Sequence, residues 1–407
     1  MVRFSRRRLM SLAAAGALAA AAPRAVLAAA PTDRRFVLVL LRGGLDGLAA
    51  VPPYGDKSYG KVRGALALPE PGTHGGALDL DGAFGLNPAL AGLHPFYAKG
   101  EMAVFHAVAT PYRERSHFDG QDLLENGTEK PHAVQDGWLN RALGLMTPQS
   151  NGKALGLAVG QSLPLAMRGA TPVTSWAPVK MPEVSPDFLD KVAELYQRDP
   201  VFARALASGL ANQEMFDELG DGGMEGSAML GRKRGPAMIK KVGESVGQLL
   251  ARADGPRVAM LDVPGWDTHT NQGTDKGRLA PTLSALGEGI ASLAQALGPA
   301  WRETAVLTLT EFGRTAHPNG TGGTDHGTAS VAFLLGGAVN GGRVIADWPG
   351  LAAGRLYEGR DLAPTLDTRA ICKAILRDHL GLPAGDIDRM VFPDSADVAP
   401  IPEIIGA

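Results

Sequence analysis

The feature that most constrains the fold is a set of five short, predominantly apolar runs that lack strict apolar–polar alternation. They lie at 35–41, 102–107, 257–263, 305–309 and 330–335. Such runs are typical of strands buried on both faces, as in a parallel sheet. Helical patterns separate them, at 88–99, 117–125, 186–219, 236–252, 279–297 and 367–379. The alternation predicts an α/β sandwich with a mostly parallel central sheet.

The composition is that of a globular protein. Of the 407 residues, 45% are hydrophobic and 20% are charged, and the mean hydropathy is -0.02. A disordered chain would have far fewer apolar residues or a larger charge imbalance. The single cysteine, Cys372, excludes an intramolecular disulfide, a zinc ribbon and an iron–sulfur cluster.

The first thirty residues have the pattern of an export signal. The pair Arg6 and Arg7 precedes an Ala/Leu-rich run over 11–22, and small residues follow before a cleavage site. This order is typical of a twin-arginine signal peptide. The alternative, a membrane-anchoring helix, is disfavoured because the apolar run is too short to span a bilayer and Arg24 follows it. We therefore expect a signal peptide at 1–30, the twin-arginine export machinery as a partner, and a periplasmic or otherwise exported product.

The remainder, 31–407, is predicted to form one domain. Removal of residues 1–28 leaves 35 basic and 42 acidic residues, a formal net charge of -7. No basic patch or stripe is present, which excludes a nucleic-acid partner. No later segment approaches 18 unbroken apolar residues, so no membrane span is expected in the mature chain. A Gly-rich segment at 220–226 lies inside the helical middle, which indicates a helical insertion at about 184–255.

Acidic residues and histidines follow four of the predicted strands and precede the fifth. Asp46 follows the first strand, Asp267 and His269 follow the third, and Asp325 and His326 precede the fifth. Glu311 follows the fourth strand together with Arg314. The segment after the second strand contains Arg113, Arg115, Ser116, His117, Asp119 and Asp122. In α/β sheets, ligands bind beyond the carboxyl ends of the strands. Asp, Glu and His without cysteine form the ligand set for zinc, manganese, magnesium or calcium.

Each of these residues also has a simpler interpretation. Asp46 after a Gly-rich turn is often a helix cap, and Ser116 before a helix is often an N-cap. The arginines can equally form surface or intra-sheet ion pairs. The recurrence of acids after successive strands is what favours a common site.

Five motifs carry a family resemblance. They are Leu-Arg-Gly-Gly-Leu-Asp-Gly at 41–47, Arg-Ser-His-Phe at 115–118, Gly-Trp-Asp-Thr-His at 265–269, Glu-Phe-Gly-Arg-Thr at 311–315 and Gly-Thr-Asp-His-Gly at 323–327. On these motifs the chain is similar to the domain-of-unknown-function 1501 family of exported, sulfatase-like proteins. More distantly, it resembles the alkaline phosphatase and sulfatase superfamily. The resemblance implies a three-layer sandwich of the alkaline phosphatase type.

The resemblance also implies a site. The divalent metal would be held by residues from Asp46, Asp267, His269, Asp325 and His326. Glu311, which follows the fourth strand, is a further candidate ligand, although the family order gives it no assured counterpart. Ser116 would be the nucleophile at a helix N-terminus. Arg115, Arg314 or Arg113 would contact the oxygens of an anionic ester.

Two departures from the superfamily pattern limit this expectation. Its phosphatases have a further histidine after the Asp-His pair, whereas the later histidine here, His379, stands in a predicted helix. The sequence also lacks a Cys/Ser-x-Pro-x-Arg motif of the kind that marks a sulfatase nucleophile. One metal site is therefore better supported than two. Two functions stay open: an exported metal-dependent hydrolase of phosphate or sulfate esters, and a catalytically degenerate relative that binds an envelope glycan or a partner.

Overall fold

The computed structural model describes residues 32–146, 154–160, 162–177, 185–196, 199, 202–203, 206 and 236–406. The predicted signal peptide and the Gly-rich segment at 220–226 lie outside the described residues. So does much of the helix predicted over 186–219.

The described residues form eleven strands and ten α-helices. The strands are β1 (Arg35–Arg42), β2 (Leu78–Asp79), β3 (Gly85–Leu86), β4 (Met102–Ala109), β5 (Gly156–Val159), β6 (Val173–Trp176), β7 (Val258–Pro264), β8 (Thr304–Leu309), β9 (Ser330–Leu335), β10 (Arg343–Ile345) and β11 (Leu366–Asp367). The helices are α1 (Gly47–Ala50), α2 (Tyr59–Arg63), α3 (His94–Ala98), α4 (His117–Asn126), α5 (Trp138–Met146), α6 (Pro186–Tyr196), α7 (Pro236–Ala251), α8 (Leu279–Leu297), α9 (Thr368–Ala374) and α10 (Ala384–Asp386).

Nine of the strands form one sheet in the order β10-β4-β9-β8-β1-β7-β5-β6, with β11 paired to β4. Strand β9 is antiparallel to both of its neighbours, and the other pairs in this sheet are parallel. The separate pair β2–β3 is antiparallel. The predicted α/β fold with a mostly parallel sheet is confirmed.

The central strands are apolar throughout because both of their faces are covered. In β1, Phe36, Leu38 and Leu40 pack into one core with α5 and α9. The intervening Val37 and Val39 pack into a second core with α7 and α8. Side chains alternate across a strand, so two helical layers enclose the sheet between them. The three-layer arrangement is thereby confirmed.

All five predicted strands are present, whereas the short strands β2, β3, β5, β6, β10 and β11 were not predicted. The helix predicted over 88–99 is instead a 3-10 helix, Pro88–Leu93, followed by α3. Pro95 occupies the first turn of α3, where its missing N–H costs nothing, so a new helix begins there. The helix predicted over 367–379 begins as α9 and continues as a π-helix, Ile375–His379.

The topology brings the polar loops to one edge of the sheet. The carboxyl ends of β1, β4, β7 and β8 meet there, and the amino end of β9 joins them because that strand runs the opposite way. None of the described helices is both long and apolar enough to cross a bilayer.

Candidate metal centre

A close backbone approach joins the loop after β1 to the loop after β7. Gly43 has a φ of +123°, and a Cβ at this position would lie 2.6 Å from the backbone nitrogen of Asp267. Its N–H donates to Oε1 of Glu311 at 2.8 Å. Only glycine combines this backbone conformation with this clearance. The Gly-rich turn is thus needed to bring three loops together.

Four side chains converge beside this turn. His117, Asp267 and His326 offer ligand atoms that all lie within 4.8 Å of one another. His269 joins them, because its Nε2 lies 3.0 Å from Oδ1 of Asp267 and 3.1 Å from Nε2 of His326. We call these four residues the His/Asp cluster. Between 25% and 43% of each side chain is exposed, so the cluster is open to solvent.

Each of the three imidazoles in the cluster has its Nδ1 beside an oxygen that accepts hydrogen bonds. The pairs are His117 with Oε1 of Glu311 at 2.8 Å, His269 with Oδ1 of Asp325 at 3.2 Å, and His326 with the carbonyl oxygen of Arg115 at 3.0 Å. A neutral ring in this setting carries its proton on Nδ1. The lone pair of Nε2 is then directed into the cluster, as in histidines that bind metals.

The Nε2 atoms are arranged as the donors to a cation would be. Nε2 of His117 is buried, and no group among the described residues hydrogen-bonds to it. Nε2 of His269 and Nε2 of His326 face one another at 3.1 Å, and two lone pairs at that distance repel unless a proton or a metal lies between them. Two nitrogens bound to one tetrahedral zinc are about 3.3 Å apart. The donors and their spacing therefore fit a divalent metal.

Asp267 is held in the cluster by Arg314. The guanidinium NH1 of Arg314 lies 2.6 Å from Oδ1 of Asp267. The same arginine also donates to the hydroxyl and the carbonyl of Thr324, and its side chain is fully buried. Burial alone raises the pKa of Asp267, but the hydrogen bond and charge of Arg314 outweigh it and lower that pKa below its ordinary value. Asp267 is thus kept ionised.

Glu311 lies behind His117 rather than among the four convergent side chains. Its carboxylate is 1% exposed and accepts further hydrogen bonds from Gly43 N–H and from Nε2 of Gln121 at 3.0 Å. The hydrogen bond to Glu311 raises the pKa of His117. The pKa of Glu311 is lowered, because its hydrogen bonds from His117 and Gln121 outweigh the effect of burial.

Asp325 has the equivalent position behind His269. Its Oδ1 also accepts a hydrogen bond from Nδ2 of Asn319 at 3.1 Å, and its side chain is 53% exposed. The Asn319 hydrogen bond lowers the pKa of Asp325. Asn319 in turn donates to the carbonyl oxygen of His269, so both residues orient this histidine.

Asp46 is buried in a different set of contacts. Its Oδ2 lies 2.5 Å from NH2 of Arg63 and accepts from Nε2 of Gln272 at 2.6 Å. Its Oδ1 accepts from the backbone N–H of Ala49 and caps α1. The capping role considered for Asp46 is therefore present, and its role as a metal ligand stays a prediction.

Ser116 directly precedes α4 at the N-cap position, yet its side chain makes no capping hydrogen bond. Its backbone N–H donates to the hydroxyl of Tyr112 at 3.2 Å. The neighbouring Arg115 has a left-handed φ of 62°, and its guanidinium is bound by Asp361 and Glu358. Arg115 thus meets the cluster through its carbonyl oxygen.

A protein-family sequence model with the description "Protein of unknown function (DUF1501)" matches residues 102–390 of this chain. The match spans more than two thirds of the chain and contains the whole His/Asp cluster. The chain belongs to the DUF1501 family. This membership was predicted from the five motifs and is confirmed.

Several solved structures resemble this DUF1501 protein at low identity. Ps i-CgsB in complex with k-i-k-neocarrahexaose matches at 11% identity with a TM-score of 0.40, over 77% of this chain and 68% of that chain. The phosphonate monoester hydrolase of Agrobacterium radiobacter matches at 12% identity with a TM-score of 0.33, over 86% and 74%. The lipoteichoic acid synthase LtaP from Listeria monocytogenes matches at 10% identity with a TM-score of 0.34, over 78% and 67%. No curated protein matches the sequence significantly. TM-scores below 0.5 transfer neither an activity nor a ligand.

Sequence reasoning located the site and missed one of its convergent side chains. Asp267, His269 and His326 were predicted as ligands and lie together, whereas His117 was noted among the polar residues after the second strand but was not predicted as a ligand. The signal was available, because His117 stands in the Arg-Ser-His-Phe motif after β4, at the same edge of the sheet. The supporting residues Gln121 and Asn319 have no sequence signal of their own, since their role depends on three-dimensional proximity.

Proposed function

We propose that this DUF1501 protein is an exported, metal-dependent hydrolase of phosphate or sulfate esters. The observation that carries the proposal is the convergence of three Nε2 atoms on Asp267, with Nε2 of His117 buried and unbonded among the described residues. Three imidazoles and one carboxylate are donors that suit zinc or manganese, whereas calcium and magnesium prefer oxygen ligands. We infer zinc as the first candidate.

The cluster residues and their neighbours have separate roles in this proposal. His117, Asp267, His269 and His326 would hold the ion. When bound, it supplies charge neutralisation to a terminal oxygen of the ester and acidifies a hydroxyl in contact with it. Glu311, Asp325 and the carbonyl of Arg115 keep the imidazole protons on the side away from the ion. These outer partners commonly change metal affinity by about 10- to 100-fold.

Ser116 is the proposed nucleophile. It lies immediately before His117, so its hydroxyl is at the N-terminus of α4 and next to a ligand. Because it makes no side-chain cap, the helix does not need its hydroxyl. The helix dipole favours an anion at the same place. Arg314 is fully buried against Asp267, and we assign it to positioning that carboxylate rather than to the predicted contact with substrate.

The proposal is tested by metal content, stability and turnover on the mature protein. We expect about one equivalent of zinc, removal of which lowers the melting temperature. At a free zinc concentration of 100 Kd the stabilisation is about 2.7 kcal/mol, or about 3 °C for a domain of this size. His117→Ala should lose the ion, and His74→Ala, an exposed loop histidine, should keep it.

Turnover is measured with 4-nitrophenyl phosphate, bis(4-nitrophenyl) phosphate and 4-nitrophenyl sulfate. Hydrolysis of at least one of them that is lost on chelation and in His117→Ala supports the proposal. A melting curve that neither chelator nor zinc moves would contradict the metal site. Bound zinc without turnover of any ester would favour the alternative function, a degenerate protein that binds an envelope glycan or partner.

A further inference from the structure

Arg360 contacts the backbone of His326 in the His/Asp cluster, although it stands in none of the five sequence motifs. Its NH2 donates to the carbonyl oxygen of His326 at 2.7 Å, and its Nε is 3.7 Å from Oδ1 of Asp361. Its own carbonyl accepts a hydrogen bond from the backbone N–H of Ala316 at 3.1 Å. The guanidinium is thereby held against the backbone carbonyl of His326, a proposed metal ligand.

Arg360 differs from the other arginines around the site in its exposure. The side chains of Arg63 and Arg314 are fully buried against Asp46 and Asp267. That of Arg115 is 18% exposed, and two carboxylates bind it. The Arg360 side chain is 41% exposed.

Most N–H groups of the Arg360 guanidinium donate no hydrogen bond within the described part of the chain. Within the described part of the chain, the hydrogen bond that it donates is the one to the His326 carbonyl. A guanidinium has five N–H groups in a planar fork. The NH1 group and the second hydrogen of NH2 therefore remain for a ligand that approaches from solvent.

We propose that Arg360 binds the anionic group of the substrate and that the substrate is a monoester. This inference rests on the proposed function. An arginine fork takes two oxygens of a tetrahedral anion, and an ion held by the His/Asp cluster would take a third. A phosphate or sulfate monoester has three terminal oxygens, whereas a phosphodiester has two. Arg360 would thus distinguish monoesters from diesters.

The test is calorimetric binding of two anions to the zinc-loaded protein. Inorganic phosphate has enough terminal oxygens for both contacts, and dimethyl phosphate does not. Hydrogen bonds to a charged group contribute enough that Arg360→Ala should weaken phosphate binding by about ten- to a hundredfold. Binding of dimethyl phosphate should change by less than about threefold, since it cannot fill the fork and the ion together.

Two further variants make the measurement specific. Arg360→Lys keeps the charge and a donor for the His326 carbonyl but has no fork, so it should retain zinc and still lose most of the preference for phosphate. Arg302→Ala removes an exposed arginine just before the amino end of β8, at the opposite edge of the sheet, and should leave both affinities unchanged.

The outcomes separate this inference from the proposed function. Retained zinc with equal weakening of both anions, or with no weakening, would overturn the role of Arg360 and leave the metal site standing. Loss of zinc from both Arg360 variants would show that Arg360 supports His326 and would also overturn it. A wild-type protein that holds no zinc would contradict the proposed function and this inference with it.

Discussion

Replacement of Glu311 by glutamine removes the charge behind His117 and keeps the shape of the side chain. Oε1 of Glu311 accepts hydrogen bonds from Gly43 N–H, from Nδ1 of His117 and from Gln121, at 2.8 to 3.0 Å. A glutamine with its side-chain oxygen in the same place can accept all three. The fold should therefore survive, and the change in metal binding should report the lost charge.

The expected loss of zinc affinity is about tenfold, or about 1.4 kcal/mol, at pH 8. This is the low end of the range for outer partners of metal-binding histidines, because the hydrogen bond to His117 is kept. The hydrogen bond and the charge of Glu311 both raise the pKa of His117, so in wild type a proton competes with zinc more strongly as the pH falls. The variant keeps the hydrogen bond and removes the charge, which weakens this competition. Its deficit in zinc affinity should therefore shrink at pH 6.

The assay is competition for zinc with a chromophoric chelator at pH 8 and pH 6, together with a melting curve. Glu288→Gln serves as the control, because Glu288 is exposed on α8 and contacts Ser284. A wild-type zinc affinity at pH 8 for Glu311→Gln, with an unchanged melting temperature, would refute the reasoning that Glu311 supports a metal ligand.

Three further predictions follow from the other residues. Ser116→Ala should lower turnover about a thousandfold if covalent catalysis operates, while the zinc content stays normal. Its stability should change by less than about 0.5 kcal/mol, because no side-chain cap is lost. Wild-type turnover in this variant would remove Ser116 from the mechanism. Arg6→Lys combined with Arg7→Lys should trap the precursor in the cytoplasm, which cell fractionation detects, and normal export would contradict the signal. In metal-free protein, burial raises the pKa of Asp267 but Arg314 outweighs it, so the net shift is downward. The ionised Asp267 carboxylate then contributes to stability above the ordinary carboxyl pKa of about 3.9, and this contribution is lost as the pH falls through the lowered value. Denaturant unfolding from pH 7 to pH 3 should therefore show a free energy of unfolding that depends less on acid in Asp267→Asn than in wild type.

The central strands could be predicted because burial on both faces leaves a direct mark on a sequence. In β1, residues such as Phe36 and Val37 face opposite cores, so the run contains no polar alternation. The edge strands β6 and β10 have three or four residues each. So short a segment carries too little pattern to distinguish it from a loop.

The candidate site was predictable to the level of its loops. Acids and histidines after successive strands indicate an edge at which they meet, and Asp267, His269 and His326 do meet there. Glu311 and Asp325 belong to the same neighbourhood but stand behind histidines. Sequence spacing does not distinguish a side chain that faces a central point from one that orients its neighbour, because both follow a strand by one or a few residues.

The sequence by itself determined the family, the layer order and the chemical types at the sheet edge, since these depend on local apolar patterns and on motifs within a few residues. The tertiary structure decided which atoms converge. His117 faces the cluster with its Nε2 because Glu311, 194 residues away in the chain, accepts from its Nδ1. Arg360 lies at the same place because the carbonyl of His326 holds it. Such contacts are set by the crossing of distant loops, and no local pattern encodes them.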